Sequence, residues 1–371
     1  MSFSAFNLSE PLLRAIREKG YVDPTPIQQQ GIPAIVSGQD VLACAQTGTG
    51  KTAAFCIPIL QRLASAPPQK GTRALILTPT RELAMQVSEN LRRYGKYFRL
   101  RSALIFGGVS QVAQVKQIRQ GADIIVATPG RLLDLINQNI INLRQLEILV
   151  LDEADRMLDM GFIHDIRKIV RLVPANRQNV FLSATMPDDV SKLANSILSN
   201  PIQIKIAEEK TAANIFQGVY YVSRESKRKL LKHIIDEHKM QNVLVFARTK
   251  YGADKIAKDL SRSGISAEAF HGNKSQNARQ RSLASFKRNE TRVLVATDIA
   301  SRGIDIRDLP FVINYELPDS VETYTHRIGR TGRAGATGTA FSLCDHEESG
   351  QLKNINRTSA IKLQIMEHPF G

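Results

Sequence analysis

Two clusters in this 371-residue chain have the residue types and spacing for chemistry on phosphates. The first is Gln46, Thr47, Gly48, Thr49, Gly50, Lys51 and Thr52, preceded by the apolar Val41-Leu-Ala-Cys-Ala45 and followed by the helix-forming Ala53-Ala-Phe-Cys-Ile57. A strand, a small-residue loop, Gly-Lys-Thr and a helix start make a phosphate-binding loop. Gly48 and Gly50 let the backbone curl so that its N–H groups point at phosphate oxygens, and the helix dipole adds positive potential there. Lys51 reaches the outer phosphates, and the Thr52 hydroxyl suits Mg²⁺. Ala45 stands where the strict pattern has glycine, a small-residue departure. The alternative is an ordinary Gly-rich turn, and the strand before and helix after argue against it.

The second cluster is Asp152-Glu153-Ala154-Asp155, at the end of the apolar run 147–152. An aspartate at a strand end beside a phosphate loop can hold the water shell of Mg²⁺. The adjacent Glu153 can orient and deprotonate an attacking water. Taken alone, these four residues would read as an acidic helix cap; next to the phosphate loop the hydrolytic reading prevails. An echo at Gly272-Asn-Lys-Ser275 lacks the contiguous Gly-Lys and reads as a turn, so one nucleotide site is expected.

These residues need rigid strand ends to stand on. Short apolar runs of strand length recur at 40–45, 74–78, 102–106, 123–127, 148–152 and 179–183, then at 218–222, 242–247, 267–270, 292–297, 311–315 and 339–343. Several are unbroken β-branched and aliphatic runs, such as Ile124-Ile-Val126 and Val293-Leu-Val295. Strands buried on both faces look like this, which predicts parallel sheets covered by helices and joined by right-handed βαβ units. The halves meet near Asn200-Pro201 and the polar stretch 207–213. The expected division is a first domain at 1–205, a linker at 206–216 and a second domain at 217–371. A surface loop is expected at 65–71, where two prolines and a glycine cluster.

Fifty Lys and Arg against 35 Asp and Glu give a net charge of +15, which points to a polyanion partner such as nucleic acid. The excess is +8 in residues 1–205 and +7 in 206–371, so both halves are expected to touch it. Cys44, Cys56 and Cys344 lie far apart, with no C-x-x-C pair, so neither a disulfide framework nor a zinc site is expected. No apolar run reaches membrane-span length, and the first ten residues lack the pattern of a secretory signal. A soluble, cytoplasmic protein is expected. The basic run 227–232 reads as a solvated helix face, and His233 and His238 as surface or packing residues.

With these motifs in order, the chain resembles the DEAD-box RNA helicases of helicase superfamily 2 over about residues 6–345. Gly20-Tyr21 and Pro24-Thr-Pro-Ile-Gln28, with Phe6 upstream, resemble the adenine-reading Q motif. The phosphate loop matches motif I, Pro79-Thr-Arg-Glu-Leu-Ala84 motif Ia, Thr128-Pro-Gly-Arg131 motif Ib, and Ser183-Ala-Thr185 motif III. In the second half, residues 243–249 resemble motif IV, with Gln276-x-x-Arg279 as its companion. Residues 296–305 resemble motif V, and His326-Arg-Ile-Gly-Arg330-Thr-Gly-Arg333 motif VI. The stretch 152–162 and Arg177-Gln178-Asn179 look most like the bacterial RhlE group.

The resemblance implies two RecA-like α/β domains, each a mostly parallel sheet flanked by helices, with ATP at their cleft and single-stranded RNA across both. It implies that Tyr21 stacks on adenine and that the Gln28 amide matches its N6/N7 edge, favouring ATP over GTP. It places Asp305 on the ribose and Arg330 and Arg333 on the γ-phosphate as arginine fingers; plain surface charge is the alternative for these arginines. The implied RNA contacts are Pro79, Arg81, Gly108, Thr128, Gly130 and Arg131, then Thr249, Gln276, Arg279 and Thr297. These side chains suit phosphate and 2′-OH oxygens, so RNA binding is expected to tolerate sequence. Asp155, Ser183, Thr185 and His326 are expected to couple the two sites.

The leading expectation is an ATP-dependent RNA helicase that separates short duplexes locally or remodels RNA–protein complexes. One alternative is an ATP-gated RNA clamp with little unwinding; intact Lys51, Glu153 and Arg330 argue for turnover. Another is a DNA translocase, which the D-E-A-D form, the Q motif and the lack of inserted domains disfavour. RNA-degradation or ribosome-assembly proteins are conceivable partners that the residues do not identify. The end, Ile365-Met-Glu-His-Pro-Phe-Gly371, reads as an abrupt stop where family members often carry a basic extension.

Overall fold

Strand-length runs without polar alternation fold here into sheets buried on both faces. The computed structural model describes residues 2–46, 48–67, 69–206, 215–301, 306, 309–332, 337–358 and 363–370, apart from the side chains of 299, 301 and 358. The chain divides into two units, Met1–Glu208 and Glu209–Gly371.

The first unit carries β1 (Val41–Cys44), β2 (Ala74–Leu77), β3 (Ser102–Ile105), β4 (Ile124–Ala127), β5 (Ile148–Leu151), β6 (Gln178–Ser183) and β7 (Ile202–Lys205). Their order across the sheet is β3-β4-β2-β5-β6-β1-β7, every pair parallel. Successive residues of a strand point to opposite faces. Ile76 and Val150 therefore enter one helical layer, packed with Phe55 and Leu83, while Leu75, Leu77 and Leu151 enter the other, packed with Leu132 and Ile166.

The second unit repeats the plan with β8 (Ile215–Tyr221), β9 (Val243–Phe246), β10 (Ala267–Phe270), β11 (Val293–Ala296), β12 (Phe311–Asn314), β13 (Gly338–Cys344) and β14 (Gln364–Ile365). The order is β10-β11-β9-β12-β13-β8-β14, again all parallel, and it is the first sheet's order strand for strand. Val243, Val293 and Ile313 face one layer, and Leu244, Leu294 and Val312 the other.

All twelve runs expected to be strands are strands. The edge strands β7 and β14 were not expected. Residues 207–214 of the expected linker lie outside the described residues, and Ile215 and Phe216 already open β8. A correction falls on the basic run 227–232. Arg228, Lys229 and Lys232 are exposed on the helix Lys227–Glu237, but Lys227 is buried. Its ammonium pairs with Glu348 and with Asp345 at 3.1 Å, and donates to the Tyr315 carbonyl at 3.2 Å. Two carboxylates more than a hundred residues downstream draw the lysine inward. His233 pairs with Glu237 at 3.3 Å, and His238 packs against Phe341. Among the described residues, no helix is long and apolar enough to cross a membrane.

Candidate active site

The phosphate loop leaves the end of β1 and enters the helix Lys51–Ser65. Gly50, the N-cap, has φ +95°, which a residue with a Cβ rarely adopts. A Cβ there would also stand 2.5 Å from Gln28 Nε2 and 2.8 Å from Thr25 Oγ1. The Q segment thus packs directly on the loop. Gln28 Nε2 donates to the Gly50 carbonyl at 3.2 Å, and its Oε1 accepts from the Thr25 N–H at 3.0 Å, closing a capping box on the helix Pro26–Val36. The amide keeps one hydrogen and one lone pair for a further partner. Tyr21 stacks on Phe3 with ring centroids 6.3 Å apart, and its hydroxyl lies 3.1 Å from that of Tyr94. Phe6 is buried in the core beneath. Gln46 is partly buried; its carbonyl accepts from the Thr49 hydroxyl at 2.9 Å. Lys51 is buried and donates to the Ala45 carbonyl, and Thr52 follows it in the first helical turn. Thr47, Asp305 and Arg333 lie outside the described residues.

Asp152 follows β5, the second strand from β1 in the sheet. It is buried, and its Oδ1 has no hydrogen-bond partner. Burial pushes its carboxyl up to about 7; the neighbouring Glu153 adds to this, and the Lys51 ammonium works against it. A buried, unsatisfied carboxylate oxygen at a strand end, within reach of the Lys51 charge, is the arrangement a divalent cation completes. Glu153 holds φ +52°, a left-handed conformation costly for a side chain of this kind, and caps the short helix Ala154–Asp159. Arg156, which sequence reasoning did not single out, pairs with it: Nη1 lies 2.7 Å from Glu153 Oε2. The signal was present as a cation three residues after the acid on a helix.

The expected coupling residues of the first unit are bonded to one another. Asp155 Oδ2 accepts from the Ala184 N–H (3.1 Å), the Thr185 N–H (2.8 Å) and the Thr185 hydroxyl (3.0 Å). Ser183 Oγ accepts from the Asp155 N–H at 3.3 Å and donates to the Thr185 carbonyl at 2.6 Å. The turn after β6 is therefore anchored on the turn after β5.

The expected RNA residues follow three further strands of that sheet. Pro79 and Arg81 come after β2, Gly108 after β3, and Thr128, Gly130 and Arg131 after β4. Three of them, Arg81, Gly108 and Arg131, meet at one loop: a Cβ on Gly108, whose φ is +73°, would clash with the Arg81 guanidinium, and Arg131 donates to the Val109 carbonyl at 3.2 Å. In the second unit, Thr249 follows β9, Gln276 and Arg279 follow β10, and Thr297 follows β11. These strands hold the same three positions in their sheet as β2, β3 and β4 hold in theirs. Thr249 caps the helix Lys250–Arg262, and the Arg279 guanidinium lies 4.9 Å from the Phe270 ring centroid.

On the helix Val321–Ile328, His326 is exposed, while Arg330 just beyond is buried. Arg327 between them is a positioning residue that sequence reasoning missed. It binds Asp298 through two contacts of 2.7 Å, and donates to Asn314 at 3.0 Å and to the Glu316 carbonyl at 2.7 Å, so the turn after β11 is fixed to the helix before Arg330.

Two parallel sheets of one strand order, with a phosphate loop on the first, define a tandem RecA-like protein of the helicase type. Residues 25–193 match the DEAD/DEAH box helicase family, and residues 226–335 match the helicase conserved C-terminal domain. The chain is 41% identical over 369 residues to the DEAD-box ATP-dependent RNA helicase RhpA of Helicobacter pylori, covering 99% of this chain and 74% of that one. It is 42% identical over 369 residues to CshA of Geobacillus kaustophilus, another DEAD-box ATP-dependent RNA helicase, covering 99% and 79%. Among solved structures, it is 30% identical to Saccharomyces cerevisiae Dbp5 bound to RNA and ADP BeF3, with a TM-score of 0.85 and coverage of 98% and 95%. A DEAD box protein from Methanococcus jannaschii is 39% identical, with a TM-score of 0.57 and coverage of 99% of both chains. The chain belongs to the DEAD-box ATP-dependent RNA helicases.

Proposed function

We propose that this helicase couples RNA-stimulated ATP hydrolysis to local, non-processive separation of short RNA duplexes, with the roles below. One observation carries the reading. In the first sheet, the residues assigned to nucleotide follow β1 and β5, those assigned to coupling follow β5 and β6, and those assigned to RNA follow β2, β3 and β4; the second sheet carries its assigned RNA residues on the equivalent strands. Ligands of open parallel sheets bind at the carboxyl ends of the strands.

In the assigned roles, Gln28 and Tyr21 receive adenine. Gln46, Thr47, Gly48, Thr49, Gly50 and Lys51 cradle the phosphates, and Asp305 meets the ribose. Thr52 and Asp152 would hold Mg²⁺, partly through water, and when bound it offsets phosphate charge. Glu153, kept in place by Arg156, takes the proton of the attacking water, and Arg330 and Arg333 stabilise the charge on the transferred phosphoryl group. Asp155, bonded to the Ser183-Ala-Thr185 turn, carries the state of the nucleotide toward the RNA loops, with His326 as the partner assigned in the second unit. The RNA residues bind phosphates and 2′-OH groups, which suits a chain of net charge +15. The compartment consistent with this reading is the cytoplasm.

The direct experiment compares ATPase stimulation by single-stranded RNA and by DNA of the same base sequence. Stimulation by RNA alone is expected; equal stimulation by DNA removes the 2′-OH contacts and favours the translocase reading.

A further inference from the structure

We infer that Asp254 is a positioning residue for RNA binding, clamping the turn that aims Gln276 and Arg279; the inference rests on the RNA role assigned to those two residues above. Asp254 projects from the first turns of the helix Lys250–Arg262, the helix capped by Thr249. Its Oδ2 lies 3.0 Å from His271 Nε2, and its Oδ1 lies 2.8 Å from Lys274 Nζ. One carboxylate therefore grips both ends of the turn 271–274. His271 is only 2% exposed and directly follows Phe270, the last residue of β10 and the ring beneath the Arg279 guanidinium. The Lys274 N–H donates to the His271 carbonyl at 3.1 Å, closing the turn. Ser275 then caps the helix Gln276–Lys287 by accepting from the Ala278 N–H at 3.3 Å.

The direction in which this helix starts, and with it the aim of Gln276 and Arg279, depends on the five-residue connection 271–275, which Asp254 meets at two points. Burial pushes the Asp254 carboxyl up, but the neighbouring Lys274 ammonium and His271 ring outweigh it and hold the group below the usual carboxylate range. It is an anion at neutral pH, and the clamp is charge-assisted. The same helix presents Thr249, so Asp254 also fixes the two RNA-binding segments relative to each other.

The test is steady-state ATPase of the full chain, titrated with a single-stranded oligouridylate. Asp254→Ala is expected to raise KM for RNA by about tenfold, the scale of one charge-assisted contact. The kcat at saturating RNA and KM for ATP should stay as in the wild type. Lys274→Met, an exposed-side change that leaves the His271 contact, should raise KM for RNA by a smaller factor. The Asp254→Ala/Arg279→Ala double variant should bind RNA no more weakly than Arg279→Ala alone, because the clamp acts through that arginine. An unchanged KM for RNA in both clamp variants, with Arg279→Ala still raising it, overturns the clamp, as does a fall in kcat without a change in KM. If Arg279→Ala itself leaves KM for RNA unchanged, the RNA role of this helix fails first, and the clamp with it.

Discussion

At the scale of single residues, the proposed hydrolytic step rests on Glu153 sitting where its backbone alone would not put it. The left-handed φ of +52° and the 2.7 Å contact to Arg156 fix the carboxylate at the end of β5, one residue from the buried Asp152. Glu153→Gln keeps the shape and loses the base. ATP and RNA binding are expected to persist, while turnover falls about 10²–10⁴-fold. Nucleotide and RNA binding isotherms beside single-turnover hydrolysis check this, and near wild-type hydrolysis would remove Glu153 from its role. Most of this site was legible in the sequence, because a phosphate loop and an acidic strand end are local patterns with fixed spacing. Arg156, Arg327 and Asp254 were not singled out, because each acts through neighbours that only the fold or the helix geometry brings within reach.

At the scale of elements, the second unit is tied together by a buried ion cluster. Lys227 lies between Asp345 and Glu348, joining the helix Lys227–Glu237 to the segment after β13. Removing one partner from a buried cluster leaves the others uncompensated, at a cost of about 3–5 kcal/mol. Lys227→Met should therefore destabilise the second unit by about that much at neutral pH. Burial raises the Asp345 carboxyl, but Lys227 outweighs it and holds the group below the usual carboxylate range. A depressed carboxyl stabilises the fold above its unfolded pKa, and that stabilisation is lost as pH falls through the folded value. The gap between wild type and Lys227→Met should thus narrow below about pH 4. Urea unfolding at pH 7 and pH 3, followed by limited proteolysis with peptides assigned to each unit, measures it; an equal gap at both values would contradict the assignment.

The same region shows where sequence reading of elements stops. The central strands among the twelve were visible because both their faces are buried and their composition is continuous. β7, Ile-Gln-Ile-Lys, is exposed at all positions but Ile204, at a sheet edge directly after Asn200-Pro201, and β14 is two residues long. Neither carries enough pattern to be told from loop. The basic run was misread for a different reason: the acids that bury Lys227 are remote in sequence.

At the scale of the whole molecule, the chain is two sheets of one strand order, a single phosphate loop and a positive charge excess shared between the halves. The strand order was not deducible from the runs themselves, since each reads alike; only the folded sheets show it. One nucleotide site, with no wedge or hairpin insertion recognisable in the sequence, suits disruption of the few base pairs under the protein rather than travel along a strand. At about 1.4 kcal/mol per stacked step, borrowing the DNA value, five steps cost about 7 kcal/mol, after which a short duplex falls apart thermally and a long one closes again. The decisive measurement is strand separation across labelled RNA duplexes of increasing length, with a 3′ tail, a 5′ tail or none. The account predicts a rate that drops steeply with length and GC content and needs no tail of fixed polarity. A rate nearly independent of length, with a strict requirement for one tail, would establish translocation and contradict it.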